Sequence, residues 1–342
     1  SGATNKMTEQ KLLLDEVREL AEAALLKVGT APIAARSLAR AVMAAERDGI
    51  RSHGLIYVPI YCEHVMCGKV DGQAMPVQRH QTGGAIVVDA GTGFAHPAID
   101  LGFEALIPAA HQQGVACLVI RNSYNCGVLG YHVERLAEAG LVAFGFTNAP
   151  ASIAPHGGHK AVIGTNPLAF AVPGPDGPAF VIDQSASVVA RSEVMTRARE
   201  GRALPLGWAL DEAGEPTTDA EQAMRGTMVP SGGYKGFSAG LLVEVMAAAL
   251  SGAMLGRHAS AFSGTVGGPP RTGQCFVALS PVPFSDGMFD QRIHDLVLAI
   301  TEQEVARLPG ARRRKHRQQA EKSGVKIDSA LVDRVRAITG SS

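Results

Sequence analysis

The sequence predicts an α/β fold with antiparallel pairing in its sheet. Three observations carry that expectation. Short β-rich runs alternate with helical stretches through the middle of the chain. Two adjacent strands in LAFAVPGPDGPAFVID, residues 168–183, are joined by a Pro-Gly-Pro-Asp-Gly turn, which is hairpin chemistry rather than a crossover. The G-x-G-x-x-G fingerprint of a Rossmann sheet is missing: its nearest match, DAGTGFAH at 89–96, has Gly91 and Gly93 but His96 in the third place. A phosphate-cradling P-loop is absent too.

The elements follow in order. Apolar residues at helical spacing predict amphipathic helices over 8–28 and 31–48, the second with Pro32 tolerated in its first turn. An Arg-Ser-His-Gly turn comes next, at 51–54. AIVVDAG (85–91) is expected as a strand, 97–113 as a helix, and ACLVIRNS (116–123) as a strand that ends in a polar turn. A helix near 128–139 and the strand LVAFGF (141–146) precede the hairpin. GFSAGLLVEVMAAALSGAML (236–255) is apolar enough to raise a membrane span, but Glu244 interrupts it and its small residues suit close packing, so a buried helix is expected. A helix near 287–306, the basic run ARRRKHRQQAEK (311–322) and a short helix from Ser329 complete the chain. The expected organisation is one unit over 7–340, with a helical segment at 7–80, a central α/β region at 81–285, and C-terminal helices at 286–340 that pack back on the start.

Composition narrows the function. Lys+Arg and Asp+Glu each number 32, so no net basic charge points to nucleic acid or an anionic membrane. Five scattered cysteines fit a reducing cytoplasm better than a disulfide framework, and the polar start, SGATNKMTEQ, lacks a signal-peptide core. Cys62 and Cys67 flank His64 without a second ligand pair, and His156 and His159 in PHGGHK have no carboxylate or thiol beside them, so no metal is expected. Glycine-rich turns recur at strand ends: RNSYNCGVLGYH (121–132), APHGGHKAVIGTNP (154–167) and PSGGYKGF (230–237). Glycine lets backbone amides approach a ligand closely, which suits a phosphate-bearing cofactor. Cys126 lies in one of these loops, where an exposed thiol would be open to oxidation. Trp208 is expected in the core or at an interface.

Taken together, RSHG (51–54), NSYNCGVLGY (122–131), GTNPLAFAVP (164–173), GWALDEAGEPTTD (207–219) and GGYKG (232–236) resemble the malate/L-lactate dehydrogenase-like oxidoreductases that lack a Rossmann fold. The match is most like their Δ1-pyrroline-2-carboxylate/Δ1-piperideine-2-carboxylate reductase branch. The resemblance implies a family-specific NAD(P)-binding fold with a mixed, largely antiparallel sheet and helical terminal segments. It also implies a homodimer and reduction of a 2-oxo or 2-imino acid.

Site residues carry over by position. His53 would give a proton to the substrate, with Ser52 and Glu193 as relay partners. Tyr57 and Thr165 would touch the substrate. The cofactor would meet Ser123, Asn125, Cys126, Gly127, Val128, Leu129, Asp183, Gln184, Ser185, Lys235, Gly236, Pro309 and Gly310. Arg312, Arg313 and Arg314 are candidates for the 2′-phosphate of NADPH, with NADH the alternative. Imidazole suits the proton-donor role because its unperturbed pKa of about 6.5 lets it donate and be recharged near neutrality.

Two departures narrow the substrate. Many 2-oxoacid members carry histidine where this chain has Asn125, and arginine where it has Tyr57. A cyclic 2-imino acid is therefore expected over a 2-oxoacid such as the keto partner of malate or lactate. An inactive binding protein on the same scaffold is the remote third possibility.

Overall fold

The computed structural model describes residues 8–340; residues 1–7, the polar start of the chain, lie outside them. A short strand, β1 (Glu9–Leu12), leads into helices α1 (Leu14–Lys27) and α2 (Pro32–Arg47). The Ser-His-Gly segment is two single 3₁₀ turns, Arg51–His53 and Leu55–Tyr57, before α3 (Val58–Cys67). The central region runs β2 (Val77–Thr82), β3 (Ala85–Asp89), α4 (Ala95–Gln113), β4 (Val115–Ser123), α5 (Leu129–Glu138), β5 (Val142–Thr147), β6 (Leu168–Gly174) and β7 (Gly177–Gln184). A smaller unit follows, made of α6 (Arg191–Arg199), β8 (Ala209–Leu210), β9 (Pro216–Thr217), α7 (Ala220–Arg225) and β10 (Thr227–Met228). The chain closes with α8 (Tyr234–Glu244), β11 (Thr272–Leu279), α9 (Phe289–Thr301), α10 (Ala311–Ser323), β12 (Val325–Asp328) and α11 (Ser329–Thr339).

Seven strands form the main sheet in the order β2-β3-β4-β11-β5-β6-β7. Only β3 and β4 run parallel, joined through α4; every other pairing is antiparallel. Strand alternation decides which face is which. Ala116, Leu118 and Ile120 of β4 point toward α4 and α5 and share their core with Leu106, Val133 and Leu136. Val119 and Cys275 point the other way, against Val243 and Ala247. Val87, Cys117, Phe144, Leu168 and Val277 on that second face are only partly buried.

A second core joins α1, α2, α3 and α11 around Val17, Leu25, Leu38, Val58, Tyr61 and Val332. β1 pairs with β12, so both ends of the described chain meet in one ribbon.

Several expectations need correction. The segment 8–28 is not one helix: Glu9–Leu12 is a strand, because these four residues pair antiparallel with β12, with only Leu12 buried. The stretch 236–255 is not a buried helix. α8 stops at Glu244, a π turn spans Val245–Ala249, and Leu241, Leu242, Val245 and Leu250 are exposed. Among the described residues no helix is long and apolar enough to cross a membrane. β11, the central strand, was not expected, nor were α3, β2 and β12.

Candidate active site

The site forms where the 3₁₀ turns, the loop between β4 and α5, the end of β7 and the start of α10 converge. Ser52 Oγ lies 3.1 Å from His53 Nδ1. A hydroxyl donating to Nδ1 leaves the neutral ring its proton on Nε2. Burial lowers the His53 pKa, the Asp183 carboxylate partly restores it, and the Arg313 guanidinium lowers it further. The ring lies parallel to that of Tyr57, with centroids 6.2 Å apart and planes 3° apart.

Tyr57 is bonded to Asn125: the amide Nδ2 donates to the phenolic oxygen at 3.1 Å. The two positions at which the chain departs from many 2-oxoacid members therefore form one contact. Asn125 Oδ1 in turn accepts from Gly127 N–H at 2.7 Å, closing the loop over a glycine with φ +66°. Burial pushes the Tyr57 hydroxyl up to about 12, so it stays protonated. With Asn125 donating to its oxygen, its own hydrogen is free to point into the site. Phe94 meets Tyr61 and Tyr124 edge-on, Tyr61 and Tyr124 are tilted against each other, and the three back this wall, where the Tyr124 hydroxyl meets His64 Nδ1.

On the other side, Asp183 at the end of β7 accepts from Gly130 N–H at 2.9 Å and from Arg313 Nη1 at 3.3 Å. A Cβ at Gly130 would lie 2.8 Å from Asp183 Oδ2 and 3.0 Å from Arg313 Nη1, so glycine is what lets these groups meet at the first turn of α5. A cavity of about 220 Å³ opens here, lined by Val128 and Gly130, by Ala179 and Val181, by Pro309 and Gly310, and by Arg313, Arg314, Lys315 and Arg317. Asp48 and Glu134 also line it and hold Arg317, which leaves Arg313, Arg314 and Lys315 with the helix-start amides and glycine approach to fit the phosphate-bearing part of a dinucleotide. Cys126 and Leu129 are buried beside it, and Ser123 Oγ is buried without a partner.

The predicted arginines divide. Arg313 and Arg314 line the cavity, and Arg314 Nη2 also donates to the carbonyl of Pro178; Arg312 is exposed and does not line it. Other expected residues lie apart. The Glu193 carboxylate accepts from Arg197 Nε at 2.9 Å, and the Arg197 guanidinium lies 4.8 Å from the Trp208 ring centroid. Glu193 shares no hydrogen bond or ion pair with Ser52 or His53, so within one chain the expected relay lacks its acid. Trp208 is partly buried against the smaller unit's core. Lys235, exposed on α8, and the half-buried Thr165 make no side-chain bond to the His53 cluster. Gln184 is exposed at the end of β7, Ser185 Oγ bonds within its own loop to Ser187, and Gly236 packs on Ser231.

The Cys126 thiol is not an exposed one. Burial drives its pKa up to about 12, which keeps it protonated.

Two residues near the site are not picked out by the motifs. His96, the residue that spoils the dinucleotide fingerprint, sits under Gly127, its Nε2 3.4 Å from where a Cβ there would be; burial lowers its pKa to about 4. Glu46 lies beneath the Ser-His-Gly turn. Its signal is visible in hindsight: it is a carboxylate inside the apolar stripe Leu38, Ala39, Val42, Ala45 of α2.

Comparison with known proteins decides the family. The malate/L-lactate dehydrogenase family model matches residues 13–336. The chain belongs to the malate/L-lactate dehydrogenase family. Its relatives within that family differ in substrate. A (2R)-3-sulfolactate dehydrogenase (NADP(+)) from Chromohalobacter salexigens is 44% identical over 325 residues, 95% of this chain and 96% of that one. A Δ1-pyrroline-2-carboxylate/Δ1-piperideine-2-carboxylate reductase from Pseudomonas aeruginosa is 38% identical over 324 residues, 94% of this chain and 97% of that one. The crystal structure of Δ1-piperideine-2-carboxylate reductase from Pseudomonas syringae pathovar tomato superposes with a TM-score of 0.91 at 34% identity, covering 96% of this chain and 99% of that one. This malate/L-lactate dehydrogenase family member is an NAD(P)-dependent oxidoreductase, and its mixed, mostly antiparallel sheet is the family fold.

Proposed function

We propose that the chain reduces a cyclic 2-imino acid, Δ1-pyrroline-2-carboxylate or Δ1-piperideine-2-carboxylate, to proline or pipecolate with NADPH. The observation that carries this reading is the neutral Tyr57–Asn125 pair beside His53. Once its nitrogen has taken the His53 proton, the imine is a cation until hydride reaches C2. An arginine at position 57 and an imidazolium at position 125 would both repel it. At about 4 Å, one like-charge contact costs roughly 4 kcal/mol in a partly screened site. A neutral hydroxyl and amide remove that cost and still offer a donor to the substrate carboxylate, with Thr165 as a second donor.

Nicotinamide held in this site would supply the hydride for C2. His53 supplies the proton to nitrogen, so C=N becomes CH–NH with charge and atoms balanced. Ser52 holds Nδ1 and directs Nε2 at the substrate. Asp183 favours the imidazolium that must form before each turnover. Arg313, Arg314 and Lys315 are the residues proposed to hold cofactor phosphate. The name of the Chromohalobacter relative, which specifies NADP(+), supports NADPH over NADH.

That relative also favours a second reading, reduction of a 2-oxoacid bearing a sulfonate, since it has the higher identity of the two relatives compared above. The deciding experiment measures kcat/KM with NADPH for pyrroline-2-carboxylate, piperideine-2-carboxylate, pyruvate, oxaloacetate and 3-sulfopyruvate. Either imine should lead by at least about tenfold; a lead for any oxoacid rejects the imine reading. His53→Ala should lower kcat about 10²-fold or more on the preferred substrate.

Assembly is proposed to be a homodimer. α9 has no fully buried residue, with Leu296 and Leu298 exposed, and α8 presents Leu241, Leu242 and Val245 to solvent. Such apolar area on one chain is the mark of a surface that a second copy covers.

A further inference from the structure

Glu46 is 4% exposed at the last turn of α2. Its Oε1 accepts the backbone N–H of Leu55 at 2.8 Å. A Cβ on Gly54 would lie 2.2 Å from that same oxygen and 2.6 Å from Glu46 Cδ. The glycine of the Ser-His-Gly motif is thus needed for a close approach to this carboxylate, its φ of −87° being ordinary for any residue. The two 3₁₀ turns that carry His53 and Tyr57 meet at Gly54, so one buried side chain grips the junction between them.

We infer that Glu46 is a positioning residue: it fixes the height and tilt of the His53 ring by accepting the Leu55 N–H beneath it. It does so as a hydrogen-bond acceptor of set length, not as a charge. The inference rests on His53 being the proton donor. Several groups face Glu46. Arg51 leads out of its own helix into the turn, and His316 faces it from α10. Lys11 of β1 and Lys326 of β12, directly opposite one another in their ribbon, line the same cleft of about 300 Å³. Burial outweighs the Leu55 hydrogen bond and the Arg51 and His316 charges, and raises the Glu46 pKa. A charge needed for catalysis would be poorly served by such a place, whereas an acceptor works in either protonation state through its carbonyl oxygen.

The alternative is that Glu46 only stabilises the fold. Two conservative variants separate the roles. Glu46→Gln keeps side-chain length and the acceptor but loses the charge; Glu46→Asp keeps the charge but withdraws the acceptor by one methylene. Turnover in Gln should stay within about threefold of the parent, while Asp should lose about ten- to a hundredfold in kcat, with KM for NADPH held within twofold in both. The His53 Cε1–H resonance, followed by NMR in the ligand-free protein, should shift in Asp and keep its position in Gln. Three outcomes would overturn the idea: Asp more active than Gln, equal loss in both, or losses that track the melting temperature with the His53 resonance unmoved. His53→Ala as control keeps the two inferences apart. An active His53→Ala enzyme refutes the donor role, whereas an inactive one with equal Gln and Asp variants refutes only the positioning role.

Discussion

At the scale of single residues, the cluster is a problem in placing protons. His53 is held mainly neutral by burial, and two charges act on it in opposite senses: Asp183 raises its pKa and Arg313 lowers it. The donor form is the protonated one. Since the shift is downward from 6.5, that form becomes scarce as pH rises through a value below 6.5. At saturating NADPH, kcat/KM for reduction should therefore fall with a limiting slope of −1 above that pKa. Asp183→Asn removes the raising charge and should move the limb to lower pH; Arg313→Gln should move it to higher pH. A limb that stays put in both variants would break the link between these residues and His53. The Ser52–His53 pair and Asn125, which lie in short motifs, and Tyr57 and Asp183, carried over by position, could be named from the sequence. Glu46 and His96 could not, since they act by packing under a backbone that only the fold supplies. Glu193 shows the opposite case: the resemblance carries it over as a relay partner, yet Arg197 one helical turn away takes its carboxylate.

Elements show the same division. The β4, α5, β5 and β6–β7 segments were readable from alternation and turn chemistry and agree with the structure to within a few residues. β11 was missed because TGQCFVAL begins after a Gly-Gly-Pro-Pro loop, which reads locally as a surface connection. α10 was legible as a basic run but not as an oriented helix. With Ala320 its only fully buried residue, it has no apolar stripe to reveal its inner face. Its orientation comes from charge pairing. Arg317 donates to Asp48 of the α2 end and to Glu134 of α5, at 2.6–2.9 Å. One turn earlier on that face is Arg313. This geometry makes the arginine scan specific. Arg314→Ala should raise KM for NADPH about ten- to a hundredfold and leave NADH nearly unchanged, an effect that fades at high salt. Arg312→Ala should change neither. If Arg312 alone altered the NADPH/NADH ratio, the cavity lined by Arg313 and Arg314 would not be the phosphate site.

For the whole molecule, the exposed apolar faces predict association. Sedimentation should give a dimer at micromolar concentration, and Leu296→Glu on α9 should shift it toward monomer; a parent chain that sediments as a monomer would refute the assembly proposed here. The order of strands has another consequence, one of timing. β4 and β5 are neighbours in sequence, separated by a single helix, yet in the sheet they never touch: β11 lies between them, paired with β4 on one side and β5 on the other. While the ribosome is still making the middle of the chain, each of those strands presents a bare hydrogen-bonding edge toward a slot whose occupant has not been synthesised. At ~5–20 residues per second, the wait from the end of β5 to the end of β11 is on the order of ten seconds. During it the nascent protein carries two open edges and a half-built core, the kind of surface that recruits chaperones or pairs with the wrong strand. The step that closes the sheet is the arrival of Thr272–Leu279, so a chain stopped before that segment would be left with a gap in its sheet rather than a smaller version of the fold.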